Sequence, residues 1–252
     1  MVKKTVVATA AKGNQDKWLD HGLWYKLDTG SFESLAETVA SQLLEKSNIQ
    51  SQLGYQIVPY EVTKVMRHGQ QRTACVSPNF LKEGQTIVTA DHLLRRAVGA
   101  DYQTQVFAKC RTYPQILETF VDVMVQVTGL VDFGAYLTLL FECDCLIRNV
   151  DRHLNNIVVL WSPEGYDYCP IFDNGASFLL NPLEYPLDVS AKSLVKGIKA
   201  QPFRYAFSIQ VRQVRKLYGQ QLQLTIAHQE LAQIVDDQLH HYPLMYQGYL
   251  RE

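Results

Sequence analysis

The amino-acid pattern changes from strand-like to helix-like near Pro78, and this change limits the folds open to the chain. Before Pro78, short runs rich in β-branched and aromatic residues lie between turn-forming residues, which is the pattern of β-strands. After Pro78, apolar residues recur at helical spacing over longer segments. This order predicts an α+β fold of two lobes, with a small β-rich lobe over residues 1–80 and a larger, mainly helical lobe over residues 81–252.

The first lobe is predicted to contain several strands and a single helix. The strand segments are KTVVATA, GLWYKLD, YQIVPYEVTKVM and QRTACVS, the last two joined by the polar turn RHGQ. The helix is SLAETVASQLLEK, in which Leu35, Val39 and Leu43 recur at helical spacing. Ser34 is predicted to be its N-cap, with Glu37 three residues later in the position of a capping box.

The second lobe is predicted to be helical apart from one hairpin. The predicted helices lie in TADHLLRRAVG, YPQILETFVDVMVQVTG, FGAYLTLLFECDCLI, FRYAFSIQVRQVRKLYG and TIAHQELAQIVDDQLHHY. FGAYLTLLFECDCLI is apolar nearly all round, which predicts a central, buried helix. The hairpin consists of NIVVLW and YDYCPIFD on either side of SPEG, whose residues are typical of a turn.

Composition argues against some classes of function. The 252 residues carry a formal net charge of -1, so the chain lacks the basic field typical of direct nucleic-acid binding. No apolar run reaches the roughly 18 residues of a membrane span, and the start of the chain does not read as a signal peptide, so a cytoplasmic location is expected. The five cysteines form no CxxC pair, which argues against a zinc site.

The most informative polar segment is NVDRHLNN, between the predicted central helix and the hairpin. A polar loop held between two rigid apolar elements can position a catalytic group accurately. Asp151 and Asn156 stand five positions apart, and Asp173 follows the hairpin in the sequence FDNG. A carboxylate base, an amide oxygen and a second carboxylate for a hard cation are the groups that Mg²⁺-dependent phosphoryl transfer requires, in the order found in kinases.

The first lobe offers a cation for the phosphates. Lys26 lies among apolar strand residues, where an unpaired ammonium would be costly, and Glu37 lies on the following helix. Such a pair directs a kinase lysine at the α- and β-phosphates of ATP. Two alternatives remain open: Lys26 extends to water from an edge strand, and Glu37 only caps its helix. In AKGNQDKW, Gly13 and Lys17 are further candidates for phosphate contact, although a hairpin turn explains the same segment.

These motifs resemble those of a known family. NVDRHLNN followed by IFDNG is similar to the catalytic and metal motifs of HipA-like serine/threonine kinases, and WYKLD with ESLAETVASQLL is similar to their lysine and glutamate region. CVSPNFL resembles the compact, CtkA-like bacterial branch of that family. The resemblance implies a two-lobed protein-kinase-like fold, ATP and Mg²⁺ as cofactors, a protein acceptor, and an antitoxin-type or regulatory protein partner as one further option.

The resemblance also implies roles for individual residues. Asp151 would be the catalytic base, Asn156 and Asp173 the Mg²⁺ ligands, Lys26 the phosphate-binding lysine, and Glu37 its partner.

Three neighbouring residues would have supporting roles under the same resemblance. Arg152 and His153 would hold the loop, and Asn149 would brace it. Several alternatives stay open, because phosphoinositide kinases also combine DRHxxN with a metal-binding Asp. The others are a nucleotide-binding pseudokinase or interaction module and, with Asp151, His153 and Asp173 as ligands, a metal-dependent hydrolase.

Overall fold

The computed structural model describes residues 16–67 and 69–251 of the chain. Its strands are β1 Lys17–Asp20, β2 Leu23–Leu27, β3 Glu61–Arg67, β4 Gln70–Pro78, β5 Thr86–Thr89, β6 Val158–Ser162 and β7 Gly165–Tyr168. Its α-helices are α1 Glu33–Glu45, α2 Ala90–Val98, α3 Tyr102–Gln105, α4 Tyr113–Thr128, α5 Phe133–Ile147, α6 Ala191–Leu194, α7 Phe207–Tyr218, α8 His228–Leu239 and α9 Leu244–Arg251. A short 3-10 helix, Phe107–Lys109, follows α3.

Two antiparallel sheets frame the junction of the lobes. The first has the strand order β1-β2-β4-β3, and α1 packs against β3 and β4. The second has the order β5-β6-β7 and belongs to the larger, helical part. This arrangement confirms the predicted α+β fold, with a small sheet lobe carrying one helix and a larger helical lobe.

Helix α5 lies in the main hydrophobic core, as its apolar sequence predicts. Leu137, Leu140 and Phe141 are buried in it, and α5 packs against α4 and α7. The helix ends at Arg148, whose φ of 57° is in the left-handed region that terminates helices. The backbone N–H of Asn149 then donates to the carbonyl of Asp144 at 3.0 Å. The polar segment therefore starts from a rigid, buried support.

The predicted start of α1 is wrong in its details. The helix begins at Glu33 after Phe32, whose side chain makes no capping hydrogen bond, so Ser34 is not the N-cap. The backbone N–H of Ser34 instead donates to Oδ1 of Asp28 at 2.8 Å. A carboxylate from the preceding loop thus satisfies a backbone donor of the first turn. This arrangement leaves Glu37 free for contacts outside its own helix.

Several predicted strands are shorter than expected. In YQIVPYEVTKVM only the part from Glu61 onward belongs to a strand, because the segment before it pairs elsewhere: Ile57 forms a parallel bridge with Ile171. The return strand of the hairpin ends at Tyr168. Strand β5 was not predicted, and it extends the hairpin to three strands. The segment KTVVATA and Gly13 lie outside the described residues. None of the described helices is long and apolar enough to cross a membrane.

Candidate active site

The segment after α5 forms a loop held by asparagines. Oδ1 of Asn149, a buried residue, accepts the backbone N–H of Asp151 at 3.0 Å. Nδ2 of Asn156 donates to the carbonyl of Asp151 at 2.8 Å and to its Oδ2 at 3.1 Å. Asp151 is therefore oriented from both sides of the loop, while its side chain stays 56% exposed. An accessible carboxylate of defined orientation can receive a proton.

Arg152 connects this loop to α5 and to the segment after the hairpin. Its guanidinium donates to both carboxylate oxygens of Asp144 at 3.0–3.1 Å, and both side chains are buried. It also donates to the carbonyl of Asn156 at 3.1 Å, to that of Phe172 at 3.5 Å, and to Oδ1 of Asn174 at 2.9 Å. One side chain therefore fixes both polar segments to the central helix.

Lys26 joins the two lobes by ion pairs. From strand β2, its Nζ lies 2.6 Å from Oε1 of Glu37 and 2.6 Å from Oδ1 of Asp173. The side chains of Lys26 and Glu37 are 12% and 2% exposed, whereas that of Asp173 is 33% exposed. Oε2 of Glu37 accepts the backbone N–H of Asn174 at 2.7 Å. Glu37 therefore ties α1 both to the lysine and to the FDNG segment.

The backbone of the FDNG segment is shaped for this contact. Asp173 has a φ of 61°, in the left-handed region, which an aspartate adopts more readily than most residues. A Cβ at Gly175 would lie 3.4 Å from Cβ of Glu33 and 3.5 Å from Cγ of Glu37. The segment thus passes close against the first turns of α1, which lets Glu37 reach it.

The ion pairs and burial shift the pKa values of these groups. The ammonium of Lys26 is the main cause of the lowered pKa of Asp173, which falls from 3.8 to about 2 against the effect of burial. Burial alone would lower the pKa of Lys26, but Asp173 and Glu37 outweigh it and raise that pKa well above its usual range. Burial raises the pKa of Glu37, with Lys26 opposing. The ammonium of Lys26 and the carboxylate of Asp173 are thus both charged at neutral pH.

The carboxyl of Asp151 has a raised pKa. Partial removal of the carboxyl from water is the largest cause, His153 acts in the opposite direction, and the negative charge of Asp173 adds to the rise. A base whose pKa lies above that of a free aspartate holds a transferred proton better.

The remaining predicted residues occupy less defined positions. His153 lies with Nε2 3.6 Å from Oδ1 of Asp151, and its buried Nδ1 has no hydrogen-bond partner within the described part of the chain. Lys17 belongs to strand β1 instead of a loop and lies directly opposite Lys26 in the register. Burial lowers its pKa and the Lys26 charge adds to this, while Asp173 opposes it. Lys17 therefore brings a second ammonium close to Lys26 and Asp173.

Two residues of the site were not predicted. Asp144 holds Arg152, and Asn174 receives a hydrogen bond from Arg152 while its own N–H reaches Glu37. The sequence signal for Asp144 is a carboxylate inside an otherwise apolar helix, FECDCLI, where an unpaired charge would be costly. Such a residue predicts a buried cationic partner, and the DRH motif a few residues later contains one.

Comparison with known proteins defines the class of the fold. No model of a known protein family matches the sequence, and no curated protein matches it significantly. Among solved structures, the crystal structure of a kinase is similar to this chain, so the chain has a kinase-like fold. That structure is the Helicobacter pylori proinflammatory kinase CtkA, with a TM-score of 0.61 and 13% sequence identity, over 96% of this chain and 85% of that chain.

Proposed function

We propose that this chain is an ATP- and Mg²⁺-dependent serine/threonine protein kinase of the HipA-like type. The observation that carries the proposal is the contact of Lys26 with both Glu37 and Asp173. These residues come from β2, α1 and the segment after β7, and Arg152 links that segment to the loop of Asp151. In kinases a lysine paired with a helix glutamate binds the phosphates, beside a metal-binding aspartate and a catalytic aspartate.

The oxygen donors present fit a magnesium ion. In the described part of the chain, the side-chain hydrogen bonds of Asn156 use its Nδ2 and those of Asp173 use its Oδ1, so Oδ1 of Asn156 and Oδ2 of Asp173 are available. Mg²⁺ is typically bound by one or two protein oxygens together with substrate phosphates and water. Asn156 and Asp173 would hold the ion. When bound, Mg²⁺ offsets negative charge on the phosphates of ATP.

The protein's own groups would then position the reactants. Lys26 and Lys17 present two ammonium groups on adjacent strands, suited to phosphate oxygens. Asp151 would accept the proton of the acceptor hydroxyl, while Arg152 and Asn149 keep its loop in place. His153 supports the same loop, since its backbone N–H donates to the carbonyl of Asp151 at 2.8 Å.

The adenine ring is proposed to bind at apolar residues between the lobes, in the region of Val76 to Leu81. Phe80 packs against Phe172, with 5.2 Å between ring centroids. Both phenylalanines contact two small apolar clusters, one with Cys75 of the first sheet and one with Leu160 of the second. This apolar surface reaches the segment that carries Asp173, so a base bound there would place its phosphates toward Lys26.

The proposal is tested by incubating the purified protein with Mg²⁺ and γ-labelled ATP, with and without a generic protein acceptor. Asp151→Asn should lower the rate of label transfer by about 10²–10⁴-fold, because a positioned base typically contributes that much. Its affinity for ATP should stay near that of the wild type. Asp167→Asn, at an exposed position of β7, is the matched control and should retain full activity. Wild-type transfer by Asp151→Asn would refute the role of Asp151.

The same assay separates the alternative functions. Label on protein supports a protein kinase, and label on phosphoinositide vesicles alone would indicate a lipid kinase. Protection of the protein against thermal unfolding by ATP, without label transfer, would indicate a pseudokinase. Phosphate release from substrates other than ATP would indicate a hydrolase. Against that last function, the described residues contain no group of three or more His, Cys, Asp or Glu placed to hold a metal ion.

A further inference from the structure

A pocket of about 330 Å³ opens beside Asp151. Its walls come from Ser31 and Glu33, just before and at the start of α1, from the loop of Asp151, and from residues between 175 and 185. Its volume is at the lower end of the range of ligand-binding pockets. Neither Asn156 nor Asp173 lines it, so it is separate from the candidate magnesium ligands.

The lining of this pocket has a single sign of charge. Glu33, Asp151 and Glu184 contribute carboxylates, and none of the residues that line it is a lysine, arginine or histidine. Glu184 is exposed, and its carboxylate accepts a hydrogen bond from Nδ2 of Asn181 at 3.1 Å. A concave site lined by one sign of charge attracts ligands of the opposite sign.

A second, independent observation indicates a polar ligand. Ser177 lines the pocket and is only 1% exposed, yet its Oγ has no hydrogen-bond partner within the described part of the chain. Buried hydroxyl groups are nearly always hydrogen-bonded, because burial removes the water that would otherwise bond to them. A ligand that brings a polar group into the pocket would supply the missing partner.

We propose that this pocket binds the acceptor polypeptide through a lysine or arginine side chain close to the serine or threonine that is phosphorylated. The inference rests on the kinase function proposed above and names the substrate class of the same site. Asp151 lines the pocket and is the proposed base, so an acceptor hydroxyl at Asp151 places neighbouring residues of the same polypeptide against Glu33 and Glu184. The backbone of that polypeptide would bond to the hydroxyl of Ser177.

The proposed reaction is transfer of the γ-phosphoryl group of ATP to the acceptor hydroxyl, and it needs no further reactant. The acceptor hydroxyl oxygen forms a bond to the γ-phosphorus of ATP, and the bond from that phosphorus to the bridging oxygen of ADP breaks. The hydroxyl proton passes to the carboxylate of Asp151. The lysine or arginine side chain of the acceptor, bound in the acidic pocket, takes no part in the bond making and breaking. It holds the acceptor hydroxyl next to Asp151.

The experiment compares three synthetic peptides of one length with a single serine, flanked by lysine and arginine, by glutamine, or by glutamate. With Mg²⁺ and γ-labelled ATP, the basic peptide should have the highest kcat/KM and the acidic peptide the lowest. Glu184→Gln should raise the KM of the basic peptide by up to about fivefold, the equivalent of one exposed ion pair, with kcat little changed. Glu164→Gln, in the hairpin turn, is the matched control and should leave all values unchanged.

Ser177→Ala tests the proposed hydrogen bond between the acceptor backbone and the hydroxyl of Ser177. It should raise the KM of all three peptides by a similar factor, because it removes a hydrogen bond to the backbone and not to a charged side chain. The melting temperature should stay the same or rise, since the variant deletes a buried hydroxyl that has no partner in the folded protein. An unchanged KM for every peptide would overturn this role of Ser177.

Failure of the inference and failure of the proposed function give different results. Equal use of the three peptides, or preference for the acidic one, overturns the basic acceptor and leaves the kinase function standing. Absence of transfer to any acceptor overturns the kinase function. Binding of fluorescent peptides with alanine in place of serine then decides the charge preference: tighter binding of the basic peptide, weakened by Glu184→Gln, supports the pocket, and equal binding of all three overturns it.

Discussion

The two cations of the candidate site, Arg152 and Lys26, differ in the balance of charge around them. Arg152 is buried with one carboxylate, that of Asp144, and its other partners are neutral oxygens. Lys26 lies between two carboxylates, so its immediate contacts carry one negative charge in excess. The charges of the buried Arg152–Asp144 pair cancel, so this pair needs no ligand and fits a structural role. The negative charge in excess at Lys26 can be offset by a further cation, either the nearby ammonium of Lys17 or a bound metal ion, which fits a site that binds a ligand.

The comparison predicts that Arg152→Met has the largest effect on stability. The free energy of unfolding should fall by about 3–5 kcal/mol, because the substitution leaves the carboxylate of Asp144 buried without its cation. Urea unfolding of the purified variant measures this loss. Arg95→Met, which removes an exposed ion pair on α2, is the control and should change the unfolding free energy little.

The double variant Asp144→Leu with Arg152→Met tests the cause. Replacing both members of a buried pair by apolar residues is often neutral or stabilising, so the double variant should be more stable than Arg152→Met alone. Equal instability of the two proteins would mean that the hydrogen bonds of Arg152 to the loops, and not the pairing of charge, account for the loss.

Lys26→Met should have an intermediate effect that depends on pH. The loss at pH 7 should be about 2 kcal/mol, because Glu37 keeps the N–H of Asn174 and Asp173 is partly exposed to water. Without the lysine, the pKa of Glu37, already raised by burial, rises further. When a carboxyl has a higher pKa in the folded state than in the unfolded state, the folded protein loses stability as the pH rises through the folded-state pKa. The loss should therefore be larger at pH 8 than at pH 5.

Thermal unfolding of Lys26→Met and the wild type at the two pH values measures this dependence. Lys82→Met, at an exposed position between β4 and β5, is the matched control and should behave as the wild type at both pH values. An equal loss at pH 5 and pH 8 would show that Glu37 does not carry the uncompensated charge.

Asp173→Asn should have the smallest effect on stability, about 1 kcal/mol or less. The remaining Lys26–Glu37 pair is balanced in charge, and a third of the Asp173 side chain is exposed, so solvent screens part of the attraction. Because the pKa of Asp173 is lowered to about 2, its contribution is present above the unfolded pKa and is lost as the pH falls from 4 to 2. The difference between variant and wild type should therefore shrink over that range, as measured by thermal unfolding.

The same variant should lose the proposed metal site. At pH 7, ATP with Mg²⁺ should raise the melting temperature of the wild type more than ATP with a chelator does. In Asp173→Asn this difference should be largely absent, because Asn156 is neutral and the substitution removes the one negative charge among the two proposed Mg²⁺ ligands. A variant that keeps the full Mg²⁺ effect would contradict the assignment of Asp173 as a ligand.

Much of the fold could be predicted because its signals are local. Helix α5 spans the predicted segment, and Thr89 accepts the backbone N–H of His92 at the start of α2, as a helix N-cap does. The errors arose where a distant group replaced a local one. Ser34 has the sequence context of an N-cap, but Asp28 satisfies its backbone N–H, and Ile57 pairs with Ile171 instead of continuing a strand.

The residues of the candidate site were predicted from their spacing, together with one contact, that of Lys26 with Glu37; the other contacts were not predicted. Spacing along the chain singles out Asp151, Asn156 and Asp173 as one motif, and the strand and helix patterns single out Lys26 and Glu37. The roles of Asp144 and Asn174 depend on which side chain reaches them across the core, and the pattern of neither segment specifies that. Only the folded chain shows that Arg152 links both segments to α5.

The sequence by itself determined the order of strands and helices and the chemical groups available, because these depend on residues a few positions apart. The tertiary structure decided which charges meet: Lys26 and Asp173 are 147 positions apart, and Glu37 and the N–H of Asn174 are 137 apart. The physical reason is that the cost of an ionised group depends on its removal from water and on the partners it finds there. Both are set by packing of distant segments, so the charge balance at Lys26 exists only in the folded protein.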